Sequence, residues 1–235
     1  MIYKLLIASL IVVSSFVTKE PKELSKNVID KTTTITSESL LVNVYNSLNT
    51  NHFAIPNFNS FSVAMKGYSK LKEMGKINNE FLTIVDYSLP STSKRLWIID
   101  TKENKIILNS LVAHGKNSGA NYATRFSNKN ESNKSSLGFF ITGEAYIGKH
   151  GLSLRLDGLE SGINDGARNR SIVMHAANYV SEAFIKAHNR LGLSHGCPAL
   201  PENLSAKIIA TIKGKSCLFI YSENLLYNST SKLVS

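Results

Sequence analysis

A cysteine and two histidines carry the clearest chemistry in this sequence. Residues 194–198 read SHGCP, which places His195 two positions before Cys197, and His175 lies further upstream. A cysteine attacks carbonyls as the thiolate, and a neighbouring imidazole can accept its proton. The glycine lets the backbone come close to a bound carbonyl, so the amides of Gly196 and Cys197 can face a developing oxyanion. These residues predict a cysteine enzyme that transfers acyl groups.

Either histidine can serve as the general base. His175 follows the apolar residues 172–174, and we expect it at the end of a strand over 171–174, where catalytic groups commonly leave a sheet. His195 lies two residues from Cys197, and in an extended segment such side chains point the same way. The local sequence does not decide between the two histidines.

The composition indicates a globular protein with a basic surface. The chain has 235 residues, of which 43% are hydrophobic, and a formal net charge of +10. The lysines and arginines are scattered and no nucleic-acid motif is visible, so we expect no nucleic-acid partner. An anionic polymer such as a cell wall, or an acidic peptide, fits this charge equally well.

The remaining thiol and imidazoles have simpler interpretations, and we assign His52, His150 and His188 to structure or surface. Cys217 lies in the apolar run 216–221, which favours a buried strand residue over a bridge to the other cysteine. Zinc is a rival interpretation of the cluster of His175, His188, His195 and Cys197. The spacing of these residues matches no zinc pattern, so we expect neither a metal nor another cofactor.

Short strands and a few helices must position these residues. Alternating and apolar runs predict strands over 81–87, 95–100, 105–112, 138–142, 152–156, 171–174 and 216–221, with a hairpin loop at 101–104. Helical periodicity predicts helices over 38–49, 59–76, 182–191 and 201–214. Ser181 is expected to cap the third helix and Gly192 to follow its end. The fold class is therefore mostly β with flanking helices (α+β), and the polar stretch 115–137 is either a binding or lid loop or a surface excursion.

The chain divides into five segments. Residues 1–18 carry one lysine, a short apolar run and small residues, which is typical of a secretory signal peptide, with an uncleaved N-terminal anchor as the alternative. Residues 19–36 form a polar leader, 37–80 an N-terminal helical segment packed on the catalytic domain, and 81–222 the catalytic domain itself. The tail 223–235 is polar, and we expect it to be frayed. Export to the periplasm or cell envelope follows, with membrane contact only through an uncleaved N-terminal segment.

Several stretches resemble the L,D-transpeptidase catalytic-domain family of bacterial cell-wall enzymes. His175 followed by SHGC at 194–197 is similar to the signature of that family, and CPALP at 197–201 looks like its murein L,D-transpeptidase branch. Other stretches similar to this branch are AHG at 113–115, SSLG at 135–138, LSLRLDGLE at 152–160 and GLS at 192–194. The resemblance covers about residues 38–222 and implies an L,D-transpeptidase-like β-sandwich with N-terminal helices.

The resemblance implies peptidoglycan chemistry at these residues. Cys197 would attack the carbonyl between residues three and four of a stem peptide, with His175 as the base, and D-alanine would leave. The amides of Gly196 and Cys197 would hold the oxyanion, while Ser194 and His195 would shape the pocket. An amine acceptor would make the protein a transpeptidase that carbapenems acylate. The alternatives are an L,D-carboxypeptidase or other cysteine-dependent peptidoglycan hydrolase, and a catalytically silent wall-binding protein.

Three departures from the family pattern affect these expectations. The spacing from His175 to Cys197 is longer than usual because of the helix over 182–191. Ala176 replaces a common glycine or serine, which costs little if only its backbone carbonyl orients the imidazole. Ala199 stands where an arginine or asparagine often holds substrate, so another cation must bind the carboxylate. The candidates for substrate binding are Arg155, Arg168 and Arg170, with ordinary surface charges as the alternative. His114 is either a further pocket residue or an ordinary half-buried histidine at a strand end.

Overall fold

The computed structural model describes residues 38–234, and the chain divides into two units, 1–40 and 41–235. Of the first unit only residues 38–40 are described, and they are helical. The predicted signal peptide at 1–18 and leader at 19–36 lie outside the described residues. Within the described part, no helix is long and apolar enough to cross a membrane.

The second unit is built on one sheet of eight strands. These are β1 (Phe81–Asp86), β2 (Leu96–Asp100), β3 (Lys105–Ser110), β4 (Gly138–Gly148), β5 (Gly151–Gly158), β6 (Val173–Ala176), β7 (Ala199–Leu200) and β8 (Cys217–Tyr221). Their order in the sheet is β3-β2-β1-β8-β4-β5-β6-β7. The pairs β1–β8 and β6–β7 are parallel, and the other neighbours are antiparallel.

The two edges of this sheet approach each other. Ala113, which follows β3, forms an antiparallel bridge with Ala199 of β7, so the sheet nearly closes into a barrel. The predicted fold class, mostly β with flanking helices, is confirmed. The strands that we expected to form a sandwich are hydrogen-bonded into a single continuous sheet.

The core lies where the centre of the sheet meets a helix. Every residue of β8 is buried, as its uninterrupted apolar sequence requires, and the Phe219 ring stacks on Phe139 of β4 at 4.2 Å. Helix α1 (Phe58–Glu73) packs against this region through a glycine, since a Cβ at Gly67 would lie 2.0 Å from Phe139 Cζ. The α1 N-terminus is capped by the Asn57 side chain, which accepts a hydrogen bond from the Asn59 amide at 2.8 Å.

The other helices differ from prediction mainly at their ends. Residues 41–46, which precede α1, are helical. After α1 come α2 (Glu182–His188), α3 (Glu202–Ile212) and α4 (Leu225–Thr230), and the last of these was not predicted. Ser181 caps α2 as predicted, accepting from the Phe184 amide at 3.2 Å. The predicted end at residue 191 is wrong, because Asn189 adopts the left-handed conformation at φ 55° and stops the helix there.

The predicted frayed tail is instead ordered by a buried carboxylate. Glu160 is 6% exposed and accepts from the Phe139 amide at 2.7 Å. It also accepts from the Tyr227 hydroxyl of α4 at 3.1 Å and from the Ser231 hydroxyl. Because a buried carboxylate needs hydrogen-bond donors, these two residues join the interior, where Tyr227 is 4% exposed.

Candidate active site

Strand pairing brings the predicted histidine and cysteine to one place. β6 runs between β5 and β7, with His175 opposite Ser153 on one side and Ala199 on the other. Cys197 lies two residues before Ala199, and its Sγ accepts a hydrogen bond from the Val173 amide of β6 at 3.5 Å. Cys197 and His175 both line a cavity of about 810 Å³. His175 thus lies within β6 rather than after its end, and the strand is shifted by two residues from the predicted 171–174.

The hydrogen bonds of His175 leave one ring nitrogen free. Its Nδ1 is 2.8 Å from the carbonyl oxygen of Ala176. A carbonyl can only accept, so Nδ1 carries the proton and Nε2 has a lone pair. In the described part of the chain Nε2 has no hydrogen-bond partner. The Ala176 backbone carbonyl therefore orients the ring. This is the condition under which an alanine at position 176, in place of the common glycine or serine, costs little.

Burial favours the neutral forms of both groups. It lowers the pKa of His175, an effect that the Ala176 carbonyl opposes and the charges of His150 and Lys149 reinforce. Burial raises the pKa of the Cys197 thiol, against the Val173 amide and the charges of Arg170 and Lys149. Both groups are consequently neutral at rest. The thiol donates to the Ser171 carbonyl at 3.7 Å, and its proton has to leave before the sulfur can act as a nucleophile.

The loop before Cys197 has a backbone that only glycine tolerates. Gly196 has φ 121°, and a Cβ there would lie 2.8 Å from the Lys134 carbonyl oxygen. Ser194 Oγ accepts from the Gly196 amide at 3.0 Å and donates to the Cys197 carbonyl at 2.6 Å. This corrects the expectation for Gly196, whose amide is already used within the loop. The Cys197 amide has no acceptor among the described residues, so it is the amide that stays available to an oxyanion.

The polar segment 115–137 braces this loop from outside. Ser135 Oγ donates to the Gly196 carbonyl at 3.2 Å and accepts from the Gly115 amide at 3.0 Å. Arg170 ties the same segment down, donating to the carbonyls of Ser127 and Lys134 at 2.8 and 2.7 Å. The segment therefore supports the loop that carries Cys197, and its role as a binding or lid loop stays a prediction.

His195 occupies a different position from His175. It is exposed at the cavity wall, and its Nδ1 lies 2.7 Å from Asn133 Oδ1. The Asn133 amide nitrogen donates to the Glu131 carbonyl, so Oδ1 is the acceptor and His195 Nδ1 the donor. His195 and Ser194 thus both lie at the cavity, where the sequence places them.

The predicted substrate-binding groups are only partly at the cavity. Arg170 lines it, but its terminal nitrogens also donate to the hydroxyls of Ser136 and Ser132. Arg155 is not in the wall; it pairs with Glu144 at 2.8 Å. Arg168 is held by Asp157 and Glu144, also away from the cavity wall.

His114 lies in the interior and does not line the cavity, which contradicts its predicted contact with substrate. Its Nδ1 is 2.7 Å from Nη2 of the buried Arg95, and its Nε2 is 3.1 Å from the Gly119 carbonyl. Burial and the Arg95 charge lower the pKa of His114 to about 4. The imidazole is a neutral bridge between a cation and a loop.

The tip of the β4–β5 hairpin is the part of the site that the sequence did not suggest. Lys149 and His150 form its two-residue turn, since Gly148 pairs with Gly151. The His150 ring stacks on His175 at a centroid distance of 4.4 Å and an angle of 22°. His150 is exposed, in keeping with its assignment to surface or structure, and it also belongs to the cavity wall, which the sequence did not suggest. The usable signal is the pair of glycines flanking two residues, which is typical of a tight hairpin.

The metal interpretation has no counterpart in the described residues. They contain no group of three or more histidine, cysteine or acidic side chains placed to bind an ion. His188 lies outside the cavity wall and packs on Phe184 at 4.2 Å. Both cysteines are free, with Cys197 half-buried and Cys217 fully buried.

Comparison with known proteins places this chain in a family. The family model described as L,D-transpeptidase catalytic domain matches residues 54–221. No curated protein matches the sequence. Among solved structures, an L,D-transpeptidase from Mycobacterium smegmatis is similar at 12% identity and a TM-score of 0.38, over 60% of this chain and 58% of that one.

Two further structures show similarity at the same level. An L,D-transpeptidase from Stackebrandtia nassauensis is 14% identical, with a TM-score of 0.36, over 69% of this chain and 66% of that one. A fused Zn-dependent amidase/peptidase/peptidoglycan-binding protein from Clostridium acetobutylicum is 13% identical, with a TM-score of 0.37, over 71% and 64%. The match spans less than two thirds of the Mycobacterium smegmatis protein. Because the family model covers more than half of the sequence, the chain belongs to the L,D-transpeptidase catalytic-domain family.

Proposed function

We propose that this protein is a peptidoglycan L,D-transpeptidase that works through a thioester on Cys197. The observation that carries the proposal is the free Nε2 of His175 in the cavity that also holds the Cys197 sulfur. A nucleophile, a correctly protonated base and a free backbone amide are the groups that acyl transfer needs. Family membership supports peptidoglycan as the substrate class, and the donors that we propose are its stem peptides.

In the proposed reaction, His175 accepts a proton from the Cys197 thiol and later donates it to the leaving group. His175 Nε2 accepts the thiol proton as Cys197 attacks the carbonyl between the third and fourth residues of the donor stem. The Cys197 amide stabilises the oxyanion. Collapse breaks the peptide bond and forms the thioester, and the imidazolium gives its proton to the departing amine of D-alanine. The amine of a second stem then attacks the thioester, which restores the thiol and forms the cross-link.

Water and an amine compete for the same thioester. If water attacks, the product is a tripeptide and the protein is an L,D-carboxypeptidase or a related hydrolase. Incubation with disaccharide-tetrapeptide followed by mass spectrometry separates these outcomes, because hydrolysis removes one alanine and transpeptidation also creates a cross-linked dimer. A Cys197→Ala variant is the control. If it retains activity, or if the wild type gives neither product, the proposed function is wrong. Wall binding by the inactive variant would then support a silent wall-binding protein.

A carbapenem tests the reactive sulfur without the natural substrate. The strained β-lactam amide opens when a thiol attacks its carbonyl, and the sulfur retains the whole drug as an adduct. We expect one adduct in the intact mass of the wild type and of Cys217→Ala, because Cys217 is fully buried. Absence of the adduct from the wild type, or its persistence in Cys197→Ala, would contradict the assignment.

We also propose that the protein is exported and acts in the periplasm or cell envelope. The support is the signal-like sequence of residues 1–18 and the net charge of +10, which suits an anionic wall polymer. Fractionation of cells expressing the full chain tests this, with the N-terminal sequence of the recovered protein separating signal cleavage from an anchor. Recovery of active protein only from the cytoplasm would contradict export.

A further inference from the structure

The cavity around Cys197 has basic and neutral walls. Its charged or titratable lining residues are Lys149, Arg170, three histidines, Tyr146 and Tyr179, besides the nucleophile, and none is aspartate or glutamate. A concave site with cations and no acids concentrates positive potential and favours an anionic ligand. The charge of the cavity therefore selects a class of ligand.

Lys149 differs from the other permanent cation of this wall in being unengaged. The terminal nitrogens of Arg170 donate to four acceptors of the segment 127–136. Lys149 is exposed at the hairpin tip, and no described residue forms a hydrogen bond or an ion pair with it. An ammonium group that no internal partner holds is available to a ligand.

The hairpin fixes where this ammonium lies relative to the reacting atoms. Pairing of Gly148 with Gly151 confines Lys149 and His150 to a two-residue turn, and the His150 ring stacks on His175. Lys149 is therefore held one residue from a ring that contacts the catalytic imidazole. Its charge also acts on both members of the pair, since it lowers the pKa of Cys197 and of His175.

We propose that Lys149 binds a carboxylate of the donor peptide, on one of the two residues that flank the bond attacked by Cys197. This inference rests on the proposed function and adds the group that selects the donor. The ligand class is a peptide with a free carboxylate close to the scissile bond. In a tetrapeptide stem, this is the C-terminal carboxylate of the fourth residue or a side-chain carboxylate of the third.

The test compares charged and neutral donors with wild-type and variant protein. The donors are the tetrapeptide, its C-terminal amide, and a form amidated on the third residue. Lys149→Met should lower kcat/KM about tenfold for the charged donor, the size of one lost charge-assisted hydrogen bond. The effect should nearly vanish for whichever amide removes the recognised carboxylate, and Lys149→Arg should retain most of the activity. Lys207→Met, which removes an exposed charge on α3, is the matched control.

The outcomes separate this inference from the proposed function. If Lys149→Met has no effect, or affects all three donors equally, the proposed role of Lys149 is wrong. The proposed function then still stands, because the wild type turns over the donors. Binding in a Cys197→Ser background tests the inference without turnover. There, the wild-type hairpin should bind the charged peptide about tenfold more tightly than Lys149→Met does. Equal affinity of the two proteins, or no binding of the charged peptide, overturns the inference.

Discussion

Two buried histidines show what separates a structural imidazole from one that can do chemistry. His114 and His175 are 0% and 4% exposed, and burial lowers the pKa of both. Both of the His114 ring nitrogens are occupied, by Arg95 and by the Gly119 carbonyl. Only Nδ1 of His175 is occupied, and Nε2 is left for the cavity. The two imidazoles therefore differ in the number of ring nitrogens that are hydrogen-bonded within the protein, and not in burial.

The surroundings of the two rings explain this difference. Arg95 is fully buried, and no described carboxylate forms an ion pair with it; its guanidinium donates to the carbonyls of Val112 and Leu89 and to His114. The His114 lone pair is needed to satisfy that cation. His175 faces a cavity and, in the described part of the chain, forms no hydrogen bond with a cation; its covering neighbour, His150, contacts it by ring stacking. Substitutions at the two sites should therefore affect different measurements.

Removing the free nitrogen should have the largest effect on the reaction. We expect His175→Ala to slow acylation of Cys197 about a thousandfold, within the range for loss of a general base. The free energy of unfolding should fall by only about 1–2 kcal/mol, because one hydrogen bond to the Ala176 carbonyl and one ring stack are lost. Rates of adduct formation with a carbapenem and urea unfolding measure the two quantities. His195→Ala should slow acylation less than His175→Ala; the reverse order would identify His195 as the base.

Removing the occupied ring should instead affect folding. His114→Ala leaves one donor of the buried Arg95 without an acceptor, so we expect the free energy of unfolding to fall by about 3 kcal/mol. The acylation rate of the folded fraction should stay within about twofold of the wild type, because the ring does not reach the cavity. His114→Gln, which keeps one acceptor and one donor, should recover part of the stability. A large loss of rate at unchanged stability would contradict the distinction between the two histidines.

A substitution in the loop that carries Cys197 should have a smaller effect on the acylation rate. Gly196→Ala combines an unfavourable φ with a contact to the Lys134 carbonyl, and we expect acylation to slow about tenfold as the sulfur shifts. Gly214→Ala is the matched control, since Gly214 has φ 82° but no atom within 4 Å of the added Cβ. It should lower the free energy of unfolding by about 1 kcal/mol without changing the rate. Equal rates for the two variants would show that the Gly196 contact is unimportant.

The smallest expected effect comes from the ring that covers His175. His150→Ala should slow acylation at neutral pH by no more than about fivefold, because one stacking contact contributes roughly 1 kcal/mol. Burial and the His150 charge hold the pKa of His175 below its ordinary value of 6.5, so uncovering the ring should raise that pKa. The base acts unprotonated, so the acid limb of the kcat/KM profile should move to higher pH. His188→Ala, outside the cavity wall, should leave the limb in place; an unmoved limb in His150→Ala would contradict the role of the stack.

The parts of the fold that depend on local sequence were predictable. Apolar runs such as 81–87 and 216–221 correspond to strands, and Ser181 caps its helix, because each feature is determined within a few residues. That His175 and Cys197 are candidates for one site was predictable, since cysteine and histidine are scarce here and both residues lie beside apolar strands; the structure places both at one cavity. Local signals of this kind identify elements and candidate groups, and they leave the distances open.

Features that depend on distant partners were not predictable. His150 was assigned to structure or surface and is exposed, but its contact with His175 was missed, because a turn sequence carries no sign of the ring that it will cover. The tail was expected to be frayed because the donors Tyr227 and Ser231 meet their acceptor, Glu160, 67 and 71 residues away. His114 was given a role in the pocket because nothing in its neighbourhood shows that Arg95, 19 residues earlier, becomes buried against it. Each error reflects a long-range hydrogen bond or stack that forms only in the complete sheet.

The carboxylate of Glu160 has a practical consequence for anyone who shortens this protein. The family match ends at residue 221, which makes that residue an inviting boundary for expression. A chain cut there loses the hydroxyls of Tyr227 and Ser231 and keeps an interior anion with the Phe139 amide as its remaining donor. The minimal stable form of the catalytic domain therefore has to extend at least through Ser231, ten residues past the apparent limit of the domain.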